Sequence, residues 1–474
     1  MSNDKDLRNF LFFLNEIKPL TSEDSLIGVL ATSSKWEDVA RSINNSREND
    51  VFVQSIAKAH LYVHVPFCEN SCAFCYCARR VLKQPLDIDA YITSLKNQMK
   101  FFSPVLKGMD TSTLCFGGGT PSILDESQLD TVLDALDKNF PVRERKILFE
   151  ANPSSLSQAK LDVLVKRGLF RLSIGVQSLD EKIIKQVARF QTKKQVLWCV
   201  RSALKAGVPH VNADLIAGLP YQTVQGIKKD LKMLLDEGVN IVHVYPYCGK
   251  NLKALCAPSE EVLDFIKRRD AIIKTAIAIL QKAGFKRKGL GSYALDSEGE
   301  EYQEELYTRM EAAVVGFGPL VMGQFPGSIF YRTRGLDSMS DFSGVDACPE
   351  DKTYVMSHFA AMAMITEGLK SQGFLKRFGM GVLDHCQEGL EYLKKQGLIA
   401  CSKSVWKFTG PWEFERVREY VVLSRVLFKP DFLRRLRKRF ISQYDPRCDY
   451  SKRQSWLEAY ANNWLTTLYY RVGA

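Results

Sequence analysis

From residue 61 onward, short runs of β-branched and aromatic residues alternate with longer segments whose apolar residues recur at helical spacing. The short runs are typical of buried strands and the longer segments of amphipathic helices. Six strands are predicted, at 61–65, 112–116, 146–150, 171–176, 210–216 and 240–245. Helices are predicted at 88–102, 126–138, 157–166, 193–206, 224–237 and 259–284. This order predicts an α/β fold built from successive βα units.

Six βα units are too few to close an eight-stranded barrel. The pattern therefore predicts a partial (β/α)6 barrel, open on one side. In barrels of parallel strands, functional residues lie at the carboxyl ends of the strands. We expect the binding site at that end.

The segments around the barrel differ in pattern. Residues 1–58 alternate helical stretches with polar breaks and are interpreted as an N-terminal extension, and 59–350 as the barrel with a substrate-pocket extension. Residues 351–410 show two helical stretches and a strand pair, which predicts a winged-helix-like module that packs as a lid or scaffold or, alternatively, binds DNA. Residues 411–474 form a basic aromatic tail, predicted to be helical and to pack on a domain, with a nucleic-acid surface as the alternative.

Composition narrows the class of protein. The chain has 474 residues and a formal charge of +11, of which the tail contributes 13 Lys/Arg minus 7 Asp/Glu, or +6. No apolar stretch approaches the roughly 20 residues that a membrane helix needs, and no cleavage site follows a basic start. Four of the 12 cysteines crowd into 68–77, which argues against a disulfide framework. We expect a soluble protein in the reducing cytoplasm.

The crowded cysteines have the spacing of metal ligands. Cys68, Cys72 and Cys75 form a C-x3-C-x2-C motif directly after the first predicted strand. Three thiolates on one loop can hold three corners of a [4Fe-4S] cluster and leave its fourth iron atom free for another ligand. A zinc site would need four ligands, and no second cysteine pair has suitable spacing. Cys77 is then a free thiol beside the cluster or a small buried apolar residue.

Four further motifs follow in order: FGGGTPS (116–122), FEANP (149–153), RLSIGVQS (171–178) and VNADLIAGLPYQT (211–223). Together with YVHVPFCENSCAFCYC (62–77), they resemble the radical S-adenosylmethionine (SAM) superfamily. More narrowly, the sequence resembles the oxygen-independent coproporphyrinogen III oxidase family and its relatives, over about 61–409. The joint order and spacing of these motifs are far more specific than any one of them.

The resemblance implies a [4Fe-4S] cluster on Cys68, Cys72 and Cys75, and SAM as cofactor, with two molecules expected. It implies cofactor-binding roles for Tyr62, Gly117, Gly118, Gly119, Thr120, Glu150, Gln177, Arg189 and Asp214. Tyr62 and Cys77 are the candidate catalytic residues, although Tyr62 could equally be a core residue. The segment 314–323 matches a family stretch near a second SAM, or is simply core.

Asp214 lies in an otherwise apolar run, ADLIAGLP. A buried carboxylate without a partner is costly. We therefore expect a ligand or Arg189 beside it, with a structural ion pair between these two residues as the alternative.

The sequence departs from the family at positions that bear on the reaction. Tyr76 replaces a usual glycine, and Ser154 follows Pro153 where coproporphyrinogen enzymes have an arginine suited to substrate carboxylates. Cys77 replaces the phenylalanine common in haem chaperones. We therefore expect a second SAM to donate a methyl or methylene carbon to an sp2 carbon, giving methylation or cyclopropanation.

Three alternatives remain open: oxidative decarboxylation of coproporphyrinogen III, a haem-chaperone role, and RNA modification, which rests only on the basic tail. The expected partners are a small-molecule substrate and a one-electron donor such as flavodoxin or ferredoxin. No nucleic-acid partner is expected for the favoured reaction.

Overall fold

The structure is a computed structural model that describes residues 32–75, 77, 79–81, 86–247, 260–289, 291–296, 298–303, 305, 309–333, 344–350, 352–365, 368–395 and 399–409. The predictions for residues 1–31, for Tyr76 and for the tail 411–474 lie outside this part of the chain.

The strands, in chain order, are β1 (Thr32–Ser34), β2 (Lys58–Val65), β3 (Phe67–Cys68), β4 (Arg80–Val81), β5 (Thr113–Gly118), β6 (Lys146–Ala151), β7 (Leu169–Gln177), β8 (His210–Ala217), β9 (Ile241–Pro246), β10 (Lys286–Arg287), β11 (Ser292–Ala294), β12 (Ala312–Phe317), β13 (Met322–Phe325), β14 (Ile329–Thr333), β15 (Val345–Pro349), β16 (Leu369–Lys370), β17 (Ile399–Ser402) and β18 (Val405–Phe408).

The helices are α1 (Trp36–Asn49), α2 (Val51–Gln54), α3 (Leu86–Phe102), α4 (Glu126–Asn139), α5 (Gln158–Lys166), α6 (Glu181–Gln186), α7 (Lys193–Lys205), α8 (Val224–Asp236), α9 (Glu260–Lys282), α10 (Glu301–Gln303), α11 (Lys352–Ile365), α12 (Ser371–Phe378) and α13 (Val382–Lys395). Short 3-10 helices span Pro121–Ile123 and Glu298–Glu300.

Within the described residues, one 13-stranded sheet organises the molecule, in the order β1-β15-β14-β13-β12-β2-β5-β6-β7-β8-β9-β11-β10. The strands from β12 to β9 in this order run parallel. They include all six predicted strands, and the helices that connect them match the predicted βα units. The predicted α/β class with a partial barrel is confirmed.

The structure shows one more parallel strand, in a segment that the sequence analysis placed near a second SAM or in the core. β12 covers the start of the 314–323 segment and pairs in parallel with β2, Gly316 facing Tyr62. Three antiparallel strands follow it, and β1 completes this side of the sheet. The glycine-rich segment is therefore sheet over 312–317, next to the strand that leads into the cysteine loop.

Burial explains why the sequences of the parallel strands are apolar runs. In β8 every residue except Asp214 is buried, and in β5 every residue except Thr113 is buried. Parallel strands covered on both faces tolerate few polar side chains, so the polar ones inside need partners. The helices around the sheet begin at side-chain caps, as at α4, where Asp125 and Gln128 form a capping box.

Residues 32–54, which the sequence analysis assigned to an N-terminal extension, pack on the main core. Val39 and Ile43 of α1 are fully buried, and Trp36 is 5% exposed. The Trp36 ring lies edge-on to the rings of Phe102 at 5.5 Å and Tyr331 at 5.4 Å. Helix α1 therefore covers the part of the hydrophobic core that packs against strands β12 to β15.

The C-terminal module contains more elements than were predicted. The helices α11, α12 and α13 accompany a three-stranded sheet in the order β16-β18-β17. The third helix arises because Gly379 ends α12 in the left-handed conformation, at φ 68°, a few residues before α13 begins. The Arg377 guanidinium donates to the carbonyl of Met310 at 2.6 Å and lies over the Phe359 ring at 4.6 Å, which joins the module to the main sheet.

Among the helices that the structure describes, none combines the length and the apolar character that crossing a membrane requires.

Replacing Trp36 with alanine should lower the free energy of unfolding by about 3 kcal/mol, because it empties a buried aromatic site. Denaturant unfolding would measure the change. Val51→Ala is the control, since Val51 lies in the same segment but is 81% exposed. Equal effects of the two substitutions would show that α1 is not part of the core.

Candidate active site

The candidate site lies where the parallel strands end. The cysteine loop follows β2, Gly117 and Gly118 end β5, and Glu150 lies next to the last residue of β6. Gln177 is the last residue of β7, and Asp214 lies within β8. Because these strands are neighbours and parallel, the sequence-predicted residues come together at one edge of the sheet.

The cysteine loop presents thiols in three different surroundings. Cys68 is buried, and the Thr120 hydroxyl donates to its sulfur at 3.3 Å. Cys72 and Cys75 are partly buried, and Nη1 of Arg189 lies 3.8 Å from the Cys72 sulfur. Burial raises the pKa of Cys68 to about 11, and its neighbours Cys75 and Cys72 add to the rise. The thiols are thus close enough to repel one another as thiolates, and two of them have hydrogen-bond donors.

Three thiols on one loop fit the corners of an iron–sulfur cluster. In the described part of the chain, no three His, Cys, Asp or Glu side chains gather closely enough to hold one metal ion. Each corner of a cubane is a separate iron atom with its own thiolate, so the ligands need not meet at one point. Hydrogen bonds to the ligating sulfurs are among the features that tune such clusters.

Arg79 fixes the shape of the loop, and the sequence analysis missed it. Its guanidinium donates to the carbonyls of Cys75 at 2.9 Å, Cys72 at 3.2 Å and Cys77 at 3.2 Å, and to the hydroxyl of Ser71 at 3.1 Å. One side chain therefore ties together the backbone around the cysteines. The only sequence signal was a basic residue shortly after the last cysteine.

An apolar wall covers one side of the loop. Phe74 packs with Ile183, Val187, Ile216 and Leu219, and Cys72 and Cys75 lie against this cluster. The amide of Ala73 donates to the carbonyl of Val187 at 2.8 Å. An apolar shell limits the access of water to a metal site.

Cys77, one of the two candidate catalytic residues, lies beside Cys75. A hydrogen bond between the two thiols lowers the pKa of Cys75 to about 6 and raises the pKa of Cys77 well above its usual value. Cys77 is therefore next to the loop's third thiol. Its catalytic role stays a prediction.

The glycines at the end of β5 allow close approach, as expected. A Cβ atom on Gly117 would lie 2.8 Å from the Tyr62 hydroxyl oxygen and 2.9 Å from Oε1 of Glu150. Gly118 has φ +106°, which a residue with a side chain rarely adopts. The structure therefore places the glycine backbone, Tyr62 and Glu150 in one small space.

Glu150 and Asp214 are near enough to affect each other's charge. Desolvation by the barrel wall raises the pKa of Glu150 to about 8, and repulsion from Asp214 adds to the rise. A carboxyl group with such a pKa holds its proton near neutral pH. Perturbed acids of this kind cluster at functional sites.

Arg189 does not pair with Asp214, which corrects the partner expected from the sequence. Its guanidinium donates to the carbonyl of Gly175 at 2.7 Å, to Oδ1 of Asn152 at 3.2 Å and to Oε1 of Gln191 at 2.7 Å. These bonds fasten it to the ends of β6 and β7, beside Cys72. The positive φ of Gln177, 62°, accompanies a bulge in β7 at this point.

The partner of Asp214 is His243. Nδ1 of His243 lies 3.1 Å from Oδ1 of Asp214, and Nε2 lies 3.1 Å from Oε1 of Glu300. Nη1 of Arg171 binds the same Glu300 oxygen at 2.8 Å. The sequence analysis missed these three residues. The available signal was a polar residue inside two apolar strand runs, Arg171 in RLSIGV and His243 in IVHVY.

The charges of this group are balanced inside the barrel. Burial alone would lower the pKa of His243, but Glu300 and Asp214 raise it to about 9. Burial alone would raise the pKa of Glu300, but His243 and Arg171 lower it to about 2. His243 is therefore a cation between two carboxylates at neutral pH.

Comparison with known proteins agrees with this site. The family model "Radical SAM superfamily" matches residues 62–234. The chain therefore contains a segment similar to a radical SAM domain, and this similarity implies a [4Fe-4S] cluster and SAM.

The relatives are of the HemN type. Oxygen-independent coproporphyrinogen III oxidase of Escherichia coli (strain K12) is 29% identical over 253 residues, which cover 51% of this chain and 55% of that protein. Heme chaperone HemW of Lactococcus lactis subsp. lactis (strain IL1403) is 35% identical over 187 residues, 39% of this chain and 48% of that protein. The chain thus spans about half the length of the curated relatives it matches.

The fold is also similar to a solved structure. Coproporphyrinogen III oxidase (HemN) from Escherichia coli has a TM-score of 0.67 and 22% identity, and the match covers 80% of this chain and 93% of that one. At this identity the likeness shows the fold.

Replacing Glu150 with glutamine should stabilise the cofactor-free protein in a pH-dependent way. Folding raises the pKa of Glu150 to about 8, so the folded state retains a proton that the unfolded state releases. The contribution of this group to stability therefore falls as the pH rises from about 4.5 to 8. The variant should gain about 2 kcal/mol above pH 8 and little at pH 5.

Thermal unfolding across this pH range would measure the difference. Glu144→Gln is the control, because Glu144 is exposed on the surface. A gain that does not vary with pH would contradict the raised pKa.

Proposed function

We propose that this protein is a HemN-like radical SAM enzyme that acts on a small-molecule substrate. The observation that carries the proposal is the loop with three free thiols, two of them with hydrogen-bond donors, at the carboxyl edge of the sheet. Cys68, Cys72 and Cys75 would hold the cluster. When bound, the cluster would supply one electron that splits SAM and gives a 5′-deoxyadenosyl radical.

The chain's own residues would bind and orient SAM. The backbone of Gly117, Gly118 and Gly119 would approach its amino group, with Thr120 held against Cys68. Tyr62 and Glu150, which converge on Gly117, would line the reacting centre. A protonated Glu150 would donate a hydrogen bond there. Gln177, Arg189 and Asp214 would bind the nucleoside and carboxylate groups.

For the reaction, the relatives favour oxidative decarboxylation over carbon transfer. The reported oxidase relatives act on coproporphyrinogen by name. In such a reaction a radical removes a hydrogen atom from the β-carbon of a propionate group, and carbon dioxide leaves. One electron passes to an acceptor and a vinyl group remains. The absence of an arginine after Pro153 favours a substrate with fewer or differently placed carboxylates.

Carbon transfer from a second SAM, the reaction expected from the sequence, is not named by any of these relatives. A haem-chaperone function is the second candidate, because the HemW relative has the higher identity, 35%. In each case the substrate or ligand would reach the site from the open edge of the barrel. The free thiols also accord with a reducing cytoplasmic location.

Replacing Cys72 with alanine should abolish the cluster and lower the formation of 5′-deoxyadenosine by ~100-fold or more, because a ligand is lost. The protein would be reconstituted and reduced with dithionite under anaerobic conditions, with SAM present. Absorbance would report the cluster and chromatography the products. Cys401→Ala is the matched control, since Cys401 is exposed in the C-terminal module.

The products separate the candidate functions. Deoxyadenosine with vinyl formation from a propionate substrate supports decarboxylation, and S-adenosylhomocysteine with a methylated or cyclopropanated product supports carbon transfer. Haem binding without deoxyadenosine supports the chaperone. A wild-type protein that binds neither cluster nor SAM would contradict the whole proposal.

We also propose that a one-electron donor such as flavodoxin or ferredoxin docks on α6 and the residues after it. Ile183 and Val187 pack against the cysteine loop, so this surface is a short route to the cluster. Lys182, Lys185, Lys193 and Lys194 are exposed on it, and Phe190 is 61% exposed. A basic surface attracts an acidic protein carrier.

Replacing Lys182 and Lys185 together with glutamate should slow turnover with reduced flavodoxin by about tenfold at low salt, because charge steering is reversed. Turnover with dithionite, which needs no docking, should stay unchanged. Lys394→Glu with Lys395→Glu, on the exposed face of α13, is the matched control. Equal losses with both reductants would point to a damaged site rather than a docking surface.

A further inference from the structure

We propose that His243 is a positioning residue that fixes Asp214 for binding SAM, and that Glu300 and Arg171 hold His243 in place. This inference rests on the proposed role of Asp214 in the SAM site. It extends that site to Arg171 on β7, to His243 on β9 and to Glu300 beyond the barrel strands. Of these, only Arg171 lies in a motif that defines the resemblance.

The contacts of Asp214 leave one of its oxygens for a ligand. Oδ1 accepts from Nδ2 of Asn212 at 2.8 Å and lies 3.1 Å from Nδ1 of His243. Among the described residues, no donor binds Oδ2. The Asp214 side chain is 20% exposed, whereas that of His243 is 5% exposed. Two buried donors therefore orient the carboxylate through one oxygen, and the other oxygen, on a partly exposed side chain, is left to accept from a ligand such as a ribose hydroxyl.

His243 is itself held in place by Glu300, which lies outside the barrel strands. Glu300 is fully buried, and its Oε1 lies 3.1 Å from Nε2 of His243 and 2.8 Å from Nη1 of Arg171. The same Arg171 nitrogen donates to the carbonyl of Gly299 at 2.9 Å. A hydrogen-bonded carboxylate behind a histidine sets which ring nitrogen points forward and in which direction.

The backbone next to Glu300 is closely packed against its neighbours. A Cβ atom on Gly299 would lie 2.4 Å from Cδ1 of Ile241 and 2.7 Å from Nδ1 of His210. Only glycine fits this approach without displacing neighbours. The position of Glu300, and through it that of His243, is thus fixed by packing as well as by charge.

Arg171, Glu300, His243 and Asp214 form a chain in which each residue contacts the next and the charges alternate in sign. A pair serving stability alone would need only Arg171 and Glu300, whose charges already cancel. His243 also contacts a second carboxylate, that of Asp214, through its Nδ1 atom, and Asp214 lies at the edge of the site. This placement is the reason to assign His243 a positioning role.

Nδ1 of His243 also lies 3.0 Å from the hydroxyl oxygen of Tyr245. Two substitutions of His243 separate the contacts of Nδ1 from the contact of Nε2. In asparagine the amide nitrogen can take the place of Nδ1 and donate to Asp214. In glutamine it takes the place of Nε2 and can donate only to Glu300. His243→Gln should therefore raise the dissociation constant for SAM by about tenfold, as expected when a group that orients a ligand is lost. His243→Asn should raise it by about threefold or less.

The measurement is the change in the spectrum of the anaerobically reconstituted, cluster-bearing protein on titration with SAM, together with the melting temperature of each variant. His385→Asn is the matched control, because His385 is buried at 5% exposure but contacts Ser357 in the C-terminal module, away from Asp214. Its SAM dissociation constant should stay within twofold of the wild-type value. If His243→Gln does not fold, Glu300→Gln keeps the shape of the network, removes its charge, and should weaken SAM binding by about threefold.

The outcomes are distinguishable. If the wild-type protein shows no response to SAM, the proposed function itself fails. If the wild type binds SAM and Asp214→Asn weakens binding, while His243→Gln and Glu300→Gln leave it unchanged, only the positioning role fails. Equal weakening by His243→Asn and His243→Gln, with equal losses of melting temperature, would also overturn it, and so would an Asp214→Asn variant with unchanged affinity.

Discussion

Parallel pairing of neighbouring strands is the constraint on which this site depends. It places the carboxyl ends of β2, β5, β6, β7 and β8 at one edge, so that residues far apart in the chain meet there. The cysteine loop, the glycines and the acidic residues each come from a different strand. No single segment builds the site, and small shifts of any one strand would separate thiols from the groups that contact them.

The same packing makes it energetically unfavourable to bury unpaired polar groups inside the barrel. The structure offsets this free-energy cost by pairing opposite charges. Arg171, His243 and Glu300 are almost completely buried, and their opposite charges lie within hydrogen-bond distance. Glu150 forms no ion pair within the part of the chain that the structure describes, and desolvation raises its pKa to about 8, so it is protonated near neutral pH. Two acids with different surroundings therefore lie at one site: Asp214 is held by a histidine, and Glu150 is neutral and able to donate a hydrogen bond.

Much of the fold could be predicted because the relevant signals are local. Apolar runs mark β5 and β8, amphipathic segments mark the helices, and three cysteines within one short loop mark the cluster site. The partners of these residues could not be predicted in this way. Glu300 lies in the acidic run EGEEYQEE, in which nothing distinguishes the fully buried Glu300 from the partly exposed Glu301 beside it. The expectation that Arg189 is one possible partner of Asp214 was wrong for a related reason: the resemblance gives both residues cofactor-binding roles, yet the fold directs Arg189 to Asn152 and Gly175.

Arg79 has a consequence for how the protein acquires and keeps its metal. Its bonds go to main-chain carbonyls and a serine hydroxyl, and none of them uses a sulfur atom. These bonds hold the curvature of the loop without using iron, so assembly of the cluster bears less of the entropy cost of ordering the loop.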